Sequence, residues 1–258
     1  MNQALVYITG ASSGIGQALA ARYYAAGWRL ALVARRAAEI EAWCAAQGFD
    51  PGRWAVYGAD VRQVDSIVAA GRACIERQGV PDVVIANAGI SVGIDTSQYA
   101  DLEVMRQTFE TNNLGMAATF HPFIDPMRAR GSGVLVGIAS VAAIRGLPGH
   151  GAYCASKAAV VSYCESLRGE LRPSGVRVVT VAPGYIDTPL TRGNRYSMPF
   201  LMSAETFADR AFRVIASGAS YRVIPWQMGL LTKLMRIVPN WLFDRAVAGR
   251  GRKRRQGE

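Results

Sequence analysis

Seven short apolar runs recur along the chain, separated by longer segments rich in alanine, leucine, arginine and glutamate. The runs show little alternation of apolar and polar positions, which is typical of strands that helices cover on both faces. The segments between them, such as 17–26 and 155–171, consist largely of good helix formers. This alternation predicts right-handed βαβ units, and hence a doubly wound α/β fold with one seven-stranded parallel sheet. The runs are LVYIT, RLALVA, RWAVYGA, DVVIANAG, GVLVGIAS, VRVVTVAPG and YRVIP.

No internal repeat or linker divides the chain before its C-terminal part. Its 258 residues, 50% hydrophobic and 19% charged, can bury a full core, so we expect residues 1–227 to form a single domain. Residues 228–258 contain an apolar segment, interrupted by charges and a proline, and then a basic tail. This part is too charged and too short to span a bilayer, but it could lie on a membrane surface, pack in a dimer or cover a pocket. Its apolar residues are Leu230, Leu231, Leu234, Val238, Trp241, Leu242 and Phe243.

The formal net charge of +10 is concentrated at the C-terminal end. Residues 245–258 hold six basic side chains against one glutamate and account for +5 of it. The rest of the chain carries a modest excess and shows no helix-turn-helix or RNA-recognition pattern. The sequence therefore does not favour a nucleic-acid partner. The tail is either a solvated end or a functional segment, and nucleic-acid binding through the tail is a third alternative. Its basic residues are Arg245, Arg250, Arg252, Lys253, Arg254 and Arg255.

Neither the cysteines nor the histidines suggest a disulfide framework or a metal centre. The four cysteines lack CxxC spacing and are expected to be reduced, and only two histidines are present. No window of 18 uninterrupted apolar residues occurs, and no basic and hydrophobic leader precedes the first run. We therefore expect a cytoplasmic protein, which the C-terminal segment could bring to the inner face of a membrane.

The first candidate site is the sequence TGASSGIG at 9–16, which lies between the first apolar run and a helical segment. Glycines in such a turn let the backbone bend tightly and approach a pyrophosphate, whose charge the N–H groups at the helix N-terminus favour. The spacing is G-x-x-x-G-x-G rather than G-x-G-x-x-G. The motif predicts a dinucleotide site formed by Gly10, Ser12, Ser13, Gly14, Ile15 and Gly16.

The end of the second run, ALVARR, bears on the choice of cofactor. An acidic residue there would bind the 2′-hydroxyl of NAD, whereas a guanidinium suits the 2′-phosphate of NADP. Ala34 stands where that acid is expected, and Arg35 and Arg36 follow it. The sequence therefore favours NADP(H) over NAD(H).

Two further loops are expected at the carboxyl edge of the sheet, where ligands bind in open α/β folds. Asp60 could accept a hydrogen bond from the adenine amino group, while Val61 packs against the ring. Asn87 can brace the sheet, and Ala88 and Gly89 would let the cofactor pass close to the backbone. Both loops are candidate parts of the same dinucleotide site.

The sequence GAYCASK at 151–157 places Tyr153 and Lys157 four residues apart, so on a helix they share a face. Such a pair is often just an exposed helix pair. Here it follows Ser140, the end of the fifth run, by 13 positions and comes after a nucleotide-binding half. A tyrosine with a pKa near 10 is a sluggish acid at neutral pH, and a nearby cation lowers that pKa. The pair by itself leaves both alternatives open, an exposed helix pair and one chemical device.

Together these motifs resemble the short-chain dehydrogenase/reductase family in kind, order and spacing over residues 3 to about 227. The resemblance implies a Rossmann-like single domain, a nicotinamide cofactor and a homodimer or homotetramer. The matching motifs are TGASSGIG at 9–16, Asp60, NAG at 87–89, Asn112 in NNLG, Ser140, YCASK at 153–157 and PGYIDTP at 183–189.

The resemblance implies a catalytic role for four residues. Tyr153 would donate or remove the substrate proton, and Ser140 would hold and polarise the substrate carbonyl. Lys157 would tune the phenol and, like Tyr153, contact the cofactor, where it would bind the ribose hydroxyls of the nicotinamide. Asn112 would position a water that links Lys157 to solvent. Asn113 is the alternative, but the family's N-x-x-G spacing favours Asn112.

The resemblance also covers the wall around the nicotinamide and the substrate lid. In PGYIDTP, Pro183 and Gly184 would bend the chain past the nicotinamide, and Ile186 and Thr188 would contact the cofactor. Residues 188–207 resemble the family's variable lid, which holds apolar residues suited either to a pocket wall or to ordinary helix packing. His150 either lines the pocket or is structural. The apolar lid residues are Met198, Phe200, Leu201 and Met202.

These features predict an oxidoreductase that transfers a hydride between NADP(H) and a ketone or secondary alcohol. We expect this small-molecule substrate to be lipophilic. The alternative is a non-catalytic NADP(H)-binding regulator or scaffold with the same fold. The joint presence of the tyrosine and the lysine favours the enzyme.

Overall fold

The computed structural model describes residues 3–194, 196–249, 253 and 255. Each of the seven predicted runs forms a strand, and two very short strands are added. The strands are β1 (Leu5–Thr9), β2 (Arg29–Ala34), β3 (Trp54–Gly58), β4 (Val83–Ala86), β5 (Gly133–Ile138), β6 (Val176–Pro183), β7 (Ile186–Asp187), β8 (Met202–Ser203) and β9 (Tyr221–Ile224).

The seven longer strands form one parallel sheet in the order β3-β2-β1-β4-β5-β6-β9. The strands β7 and β8 pair separately. The predicted doubly wound, seven-stranded α/β fold is confirmed. The strand order reverses between β1 and β4, and at this point the crevice at the carboxyl edge is the usual ligand site of such sheets.

Helices cover both faces of the sheet. The helices of the described residues are α1 (Gly14–Ala25), α2 (Ala37–Ala46), α3 (Val64–Gln78), α4 (Asp101–Phe109), α5 (Gly115–Arg130), α6 (Gly151–Leu171), α7 (Pro189–Arg192), α8 (Ala204–Ser217), α9 (Trp226–Ile237) and α10 (Asn240–Val247). A π-helical turn, Glu110–Leu114, joins α4 directly to α5.

Two hydrophobic cores lie on opposite faces of the sheet, which explains the continuous apolar character of the strands. Along β1, Tyr7 points into the core that contains α3, α5 and α6, where its ring centroid is 4.8 Å from that of Phe123. The next residue, Ile8, points into the core that contains α1 and α8, with Leu19 and Phe207. All five residues of β1 are buried, so no position remains for a polar side chain that faces solvent.

The two C-terminal helices are attached to the loop that follows β5. The Arg145 guanidinium donates to the carbonyl oxygens of Met235 and Val238, at 2.6 and 2.7 Å, and to Asn240 Oδ1 at 2.8 Å. Its carbon lies 3.8 Å from the centroid of the Phe243 ring. No helix of the described residues is long and apolar enough to cross a membrane.

Candidate active site

A cavity of about 590 Å³ opens at the carboxyl edge of the sheet. It brings together all but two of the predicted catalytic and cofactor-binding residues, and the two exceptions are Gly16 and Asn112. The predicted residues that line it are Gly10, Ser12, Ser13, Gly14, Ile15, Arg35, Arg36, Asp60, Val61, Asn87, Ala88, Gly89, Ser140, Tyr153, Lys157, Pro183, Gly184, Ile186 and Thr188.

The glycine turn at one end of the cavity has the shape that its sequence predicts. Gly10 and Gly14 have φ values of 68° and 56°, which side chains rarely adopt. A Cβ atom at Gly10 would lie 2.9 Å from Ala88 Cα, and one at Gly16 would collide with the Gly10 carbonyl oxygen. Gly16 therefore serves the close packing of α1 against the turn, which explains why it does not line the cavity. The bare backbone at Gly10 and Gly14 fits a pyrophosphate.

Asn87 braces the glycine turn against β4, as predicted. Its Nδ2 donates to the carbonyl oxygens of Thr9 and Gly10, at 3.0 and 3.3 Å. In return, Thr9 Oγ1 accepts from the backbone N–H groups of Asn87 and Ala88, at 3.1 and 3.2 Å. The ends of β1 and β4 are therefore held at a fixed distance from each other.

Two arginines, Arg62 and Arg35, lie beside Asp60 where the adenosine of a dinucleotide would lie, and Arg36 lines the same cavity. Arg62 Nη2 donates to Asp60 Oδ2 at 2.8 Å, and hydrogen bonds from Arg62 hold the pKa of that carboxyl below its usual range. Arg35 Nη1 lies 4.0 Å from the same oxygen, and the side chains of Arg35 and Arg36 are exposed at 64% and 60%. The predicted bond from adenine to Asp60 must therefore share a carboxylate that Arg62 already occupies. The sequence analysis missed Arg62.

Ser140, Tyr153 and Lys157 meet at the other end of the cavity. Ser140 is buried and begins a short 3₁₀ turn, where its Oγ accepts from the Ala142 N–H at 3.1 Å. Tyr153 lies in the first turn of α6 and Lys157 in the second, with the Lys157 ammonium 5.9 Å from the centroid of the Tyr153 ring. Lys157 Nζ donates to the carbonyl oxygen of Ile138 at 2.8 Å. The helix therefore presents both side chains to one cavity, as their spacing predicts.

The pKa of Tyr153 is shifted mainly by burial of the phenol. Burial raises it above the ordinary value, and hydrogen bonding with Ser140 opposes only part of the rise. Burial also lowers the pKa of Lys157 to about 8. Desolvation of the phenol is thus the largest effect on its pKa in the folded chain, and the lowering of that pKa by Lys157 stays a prediction.

Asn112 lies behind the cavity, in the π-helical turn between α4 and α5. Its Oδ1 accepts from the Ile90 N–H at 2.9 Å, and its Nδ2 donates to the Ile90 carbonyl oxygen and to Ser156 Oγ, at 3.0 and 2.9 Å. Ser156 Oγ donates in turn to the Tyr153 carbonyl oxygen at 2.8 Å. Asn112 thus ties α6 to the loop after β4, and its predicted role in holding a water remains a prediction.

The segment after β6 forms the remaining wall. Thr188 is buried and caps α7, whose Leu190 and Thr191 also line the cavity. The four apolar lid residues at 198–202 are not among the lining residues, and Phe200 and Leu201 are 52% and 49% exposed. Of the two alternatives that the sequence left open for them, a pocket wall and ordinary helix packing, the lining of this cavity does not support the first. The predicted lid also includes Arg195, which lies outside the described residues.

The sequence left the roles of His150 and of the basic tail open. His150 is buried, with Nδ1 3.1 Å from the Pro148 carbonyl oxygen and Nε2 3.3 Å from the Tyr196 hydroxyl. Of the basic tail, the structure describes Arg245, Lys253 and Arg255, whereas Arg250, Arg252 and Arg254 lie outside the described residues. No cluster of metal-ligating side chains occurs within the described ranges.

A model of the short chain dehydrogenase family matches residues 4–198. The chain belongs to this family. It is therefore an oxidoreductase of the short-chain dehydrogenase/reductase family, whose members bind nicotinamide cofactors. The family assignment made from the sequence motifs is confirmed. The backbone at Gly10 and Gly14 and the lining of the cavity fit such a cofactor.

Relatives of this short-chain dehydrogenase cover nearly its whole length. A Myxococcus xanthus (strain DK1622) protein described as an uncharacterized oxidoreductase is 37% identical over 253 residues, which cover 95% of this chain and 97% of the relative. An alcohol dehydrogenase from the archaeon Thermococcus sibiricus, solved with 5-hydroxy-NADP, is 26% identical. It has a TM-score of 0.75 and covers 86% of this chain and 96% of that one.

A second solved structure shares the fold but holds the other cofactor. It is a short chain dehydrogenase/reductase from Burkholderia phymatum in complex with NAD, with 24% identity and a TM-score of 0.80. The alignment covers 90% of this short-chain dehydrogenase and 92% of that chain. The preference between NAD and NADP therefore has to be argued from the residues of this chain.

Proposed function

We propose that this short-chain dehydrogenase transfers a hydride between NADP(H) and a ketone or secondary alcohol, with Tyr153 as the general acid or base. The observation that carries the proposal is a single cavity that joins the glycine turn to Ser140, Tyr153 and Lys157. A bound nicotinamide would supply the hydride. Apolar residues that line the same cavity as Tyr153, such as Ile90 and Leu190, support a lipophilic substrate.

The side chains at the inner end of the cavity suit the transfer of a proton. In the direction of reduction, the Ser140 hydroxyl holds the substrate oxygen and the Tyr153 hydroxyl donates its proton to that oxygen as negative charge develops there. The Lys157 ammonium then stabilises the phenolate by its charge. It can also donate to the ribose hydroxyls of the cofactor. Asn112 keeps α6 in position through Ser156.

Replacement of Tyr153 by phenylalanine tests the proposed proton donor. We expect kcat for a ketone substrate to fall about 100-fold or more, because general acid catalysis contributes on that order. The Kd for NADPH, measured by fluorescence titration, should change by less than about 3-fold, since the ring remains. NADPH oxidation over a panel of aliphatic and cyclic ketones gives the turnover.

The matched control is Tyr163→Phe, which alters a half-exposed tyrosine on the same helix and should leave both quantities unchanged. Full activity of Tyr153→Phe would disprove the assigned role. A wild-type protein that binds NADPH but turns over no ketone or alcohol in the panel would instead support the alternative, a non-catalytic NADP(H)-binding regulator or scaffold.

We propose NADP(H) as the preferred cofactor because Ala34, not an acidic residue, ends β2, and Arg35 lines the cavity there. Replacement of Arg35 by alanine should raise the KM for NADPH about 10- to 100-fold and leave the KM for NADH nearly unchanged, since only NADPH carries the 2′-phosphate. Arg168→Ala, an exposed arginine on α6, is the control. Equal KM values for the two cofactors in the wild type would refute the preference.

The proposal includes a homo-oligomer and contact with a membrane surface. Exposed apolar residues on α4, including Leu102 and Met105 at 52% and 37% exposure, support packing against a second copy in a homodimer or homotetramer. The exposed apolar face of α9 and α10, flanked by Lys233, supports contact with an anionic membrane surface.

A further inference from the structure

The C-terminal tail returns to the body of the protein at the loop that follows β4. Arg255 forms a parallel bridge with Gly93. Its Nε and Nη2 donate to Asp101 Oδ2 and Oδ1, at 2.7 and 3.1 Å, and the Asp101 side chain is only 7% exposed. This two-point ion pair in a buried setting fixes the tail two residues beyond Lys253.

Lys253 points from this anchored tail into the protein. Its Nζ donates to Ser91 Oγ at 2.8 Å, and Ser91 directly follows Ile90, which lines the cavity. Burial lowers the pKa of Lys253 to about 8, and no acidic group among the described residues counters that shift. A partly desolvated ammonium with no opposite charge costs stability, which an incoming anion would recover.

His150 interacts electrostatically with the Lys253 ammonium, and Tyr196 is hydrogen-bonded to His150. Because the Pro148 carbonyl oxygen can only accept, His150 Nδ1 carries the proton, and Nε2 accepts from the Tyr196 hydroxyl. Burial, together with the nearby charge of Lys253, lowers the pKa of His150, so the ring is neutral at pH 7. We name Ser91, His150, Tyr196 and Lys253 the polar cluster. It holds one positive charge and no negative one.

The polar cluster lies beside the proposed proton donor. His150 precedes α6 and stands three residues before Tyr153, and its backbone oxygen accepts from the Cys154 N–H at 2.9 Å. Tyr196 is close enough to Tyr153 for the two phenols to interact electrostatically. The cluster lies outside the lining of the 590 Å³ cavity, so a molecule whose carbonyl group is held by Ser140 reaches the cluster only by extending past Tyr153.

We propose that the polar cluster binds the carboxylate of a keto acid or hydroxy acid, with the Lys253 ammonium as its principal partner. The inference rests on the proposed function, since the carbonyl or alcohol of the same molecule faces Tyr153. Ile90 and Leu190, which line the cavity, contact the aliphatic part. The substrate is thus an apolar chain with an acid at one end, and Lys253 is a specificity-determining residue supplied by the tail.

The test compares carboxylates with neutral molecules of the same shape. Straight-chain alkanoates of about six to twelve carbons, and the corresponding primary alkanamides, are titrated against the full chain without cofactor, with ligand-observed NMR as the readout. We expect the wild type to bind the best alkanoate about 10-fold or more tightly than its amide, because charge-assisted hydrogen bonds are the stronger ones. Lys253→Gln should abolish the preference, and Lys253→Arg should retain it.

An exposed lysine, Lys233, supplies the control. The chain has three lysines, at 157, 233 and 253, and Lys233→Gln on α9 should keep the full preference for alkanoates. Equal binding of acids and amides by the wild type, or an undiminished preference in Lys253→Gln, would overturn the inference. Because the measurement uses no cofactor, its outcome is independent of the proposed function. A wild type that prefers acids to amides but does not bind NADPH would refute only the proposed function.

For a keto acid that the enzyme reduces, KM and kcat give a second readout. Lys253→Gln should raise the KM for the keto acid about 10-fold or more with kcat changed by less than about 3-fold, since Lys253 contacts the substrate away from the reacting carbon. The KM for the methyl ester of the same acid should not respond to the substitution. A fall in kcat with an unchanged KM would contradict a role in recognition.

Discussion

Lys157 illustrates how the burial of one proposed active-site residue lowers the stability of the fold. Its ammonium is 5% exposed, and burial lowers its pKa to about 8, whereas a lysine in an unfolded chain titrates near 10.4. The unfolded chain therefore binds more protons between those two values, so this group makes the protein more stable as pH rises from about 8 to about 10.4. Below pH 8, its burial has its full cost.

Replacement of Lys157 by methionine should therefore stabilise the fold while abolishing turnover. We expect the free energy of unfolding at pH 7 to rise by about 1–3 kcal/mol, the order set by the pKa shift less the lost bond to Ile138. The gain should shrink towards zero near pH 10.5. Urea unfolding of the variant and wild type at both pH values measures it.

The control is Lys233→Met, because this exposed lysine should change the free energy of unfolding by less than about 0.5 kcal/mol at either pH. A Lys157→Met variant that is less stable than the wild type at pH 7, or a difference that does not vary with pH, would contradict the assigned cost of burial.

Residue types and spacing predicted which side chains share the cavity, but not their ionisation. Tyr153 and Lys157 meet because residues four apart on a helix share a face, a fact of local geometry. The pKa of Tyr153 depends instead on how completely the tertiary structure removes water from the phenol. Arg62 was missed for a related reason: it stands two residues after Asp60, and only the folded loop turns it back onto that carboxylate.

At the level of elements, the π-helical turn that holds Asn112 could not be read from the sequence. Both asparagines of NNLG donate to Ser156, Asn112 to its Oγ and Asn113 to its carbonyl oxygen, each at 2.9 Å. In the π turn, two consecutive side chains thus reach the same helix. Such a turn interrupts α-helical geometry and has no composition of its own, and it often occurs at functional sites. The sequence therefore left both residues open, and spacing alone favoured Asn112.

The attachment of α9 and α10 depends on one arginine. Arg145 bonds to the end of α9 and the start of α10 and stacks on Phe243, which is 8% exposed. Replacement of Arg145 by alanine should free both helices from the loop after β5. We expect amide hydrogens of residues 228–247 to exchange about 10-fold faster or more, while those of β1 and β4 keep their rates. Hydrogen-exchange mass spectrometry gives both values.

A surface arginine on another helix is the matched control. Arg128 on α5 is 56% exposed and pairs only with Asp125 among the described residues, so Arg128→Ala should leave exchange in 228–247 unchanged. Unaltered protection of α9 and α10 in Arg145→Ala would show that their apolar contacts alone hold them. Equal acceleration in the central strands would indicate a global loss of stability instead.

For the whole molecule, the sheet was predictable and the course of the tail was not. Strands buried on both faces must be apolar throughout, so each left a continuous run in the sequence. The tail is held by contacts such as that of Arg255 with Asp101, 154 positions earlier. Contacts of this kind leave no local pattern, and the same six basic residues were compatible with a solvated end. The outward face of α9 and α10, by contrast, was suggested by its apolar residues and is still exposed in the folded chain.

That face gives a prediction for the intact protein at a membrane. Ile237 and Trp241 are 78% and 72% exposed on adjoining helices, with Lys233 and Arg236 exposed nearby. Apolar side chains flanked by cations suit the interface of an anionic bilayer. We expect the full chain to co-sediment with phosphatidylserine-containing vesicles about 10-fold more than with pure phosphatidylcholine, and less as salt is added. The double variant Ile237→Ser, Trp241→Ser should lose this binding.

The control carries the same change of polarity elsewhere. Tyr99 and Val64 are 89% and 40% exposed, so Tyr99→Ser with Val64→Ser should leave vesicle binding intact. Light scattering without lipid separates the membrane from a second copy as the partner of this face. If the double variant at 237 and 241 sediments with vesicles like the wild type, or if it changes only the oligomeric mass, α9 and α10 do not bind the bilayer. Their apolar residues would then belong to a contact between copies of the chain.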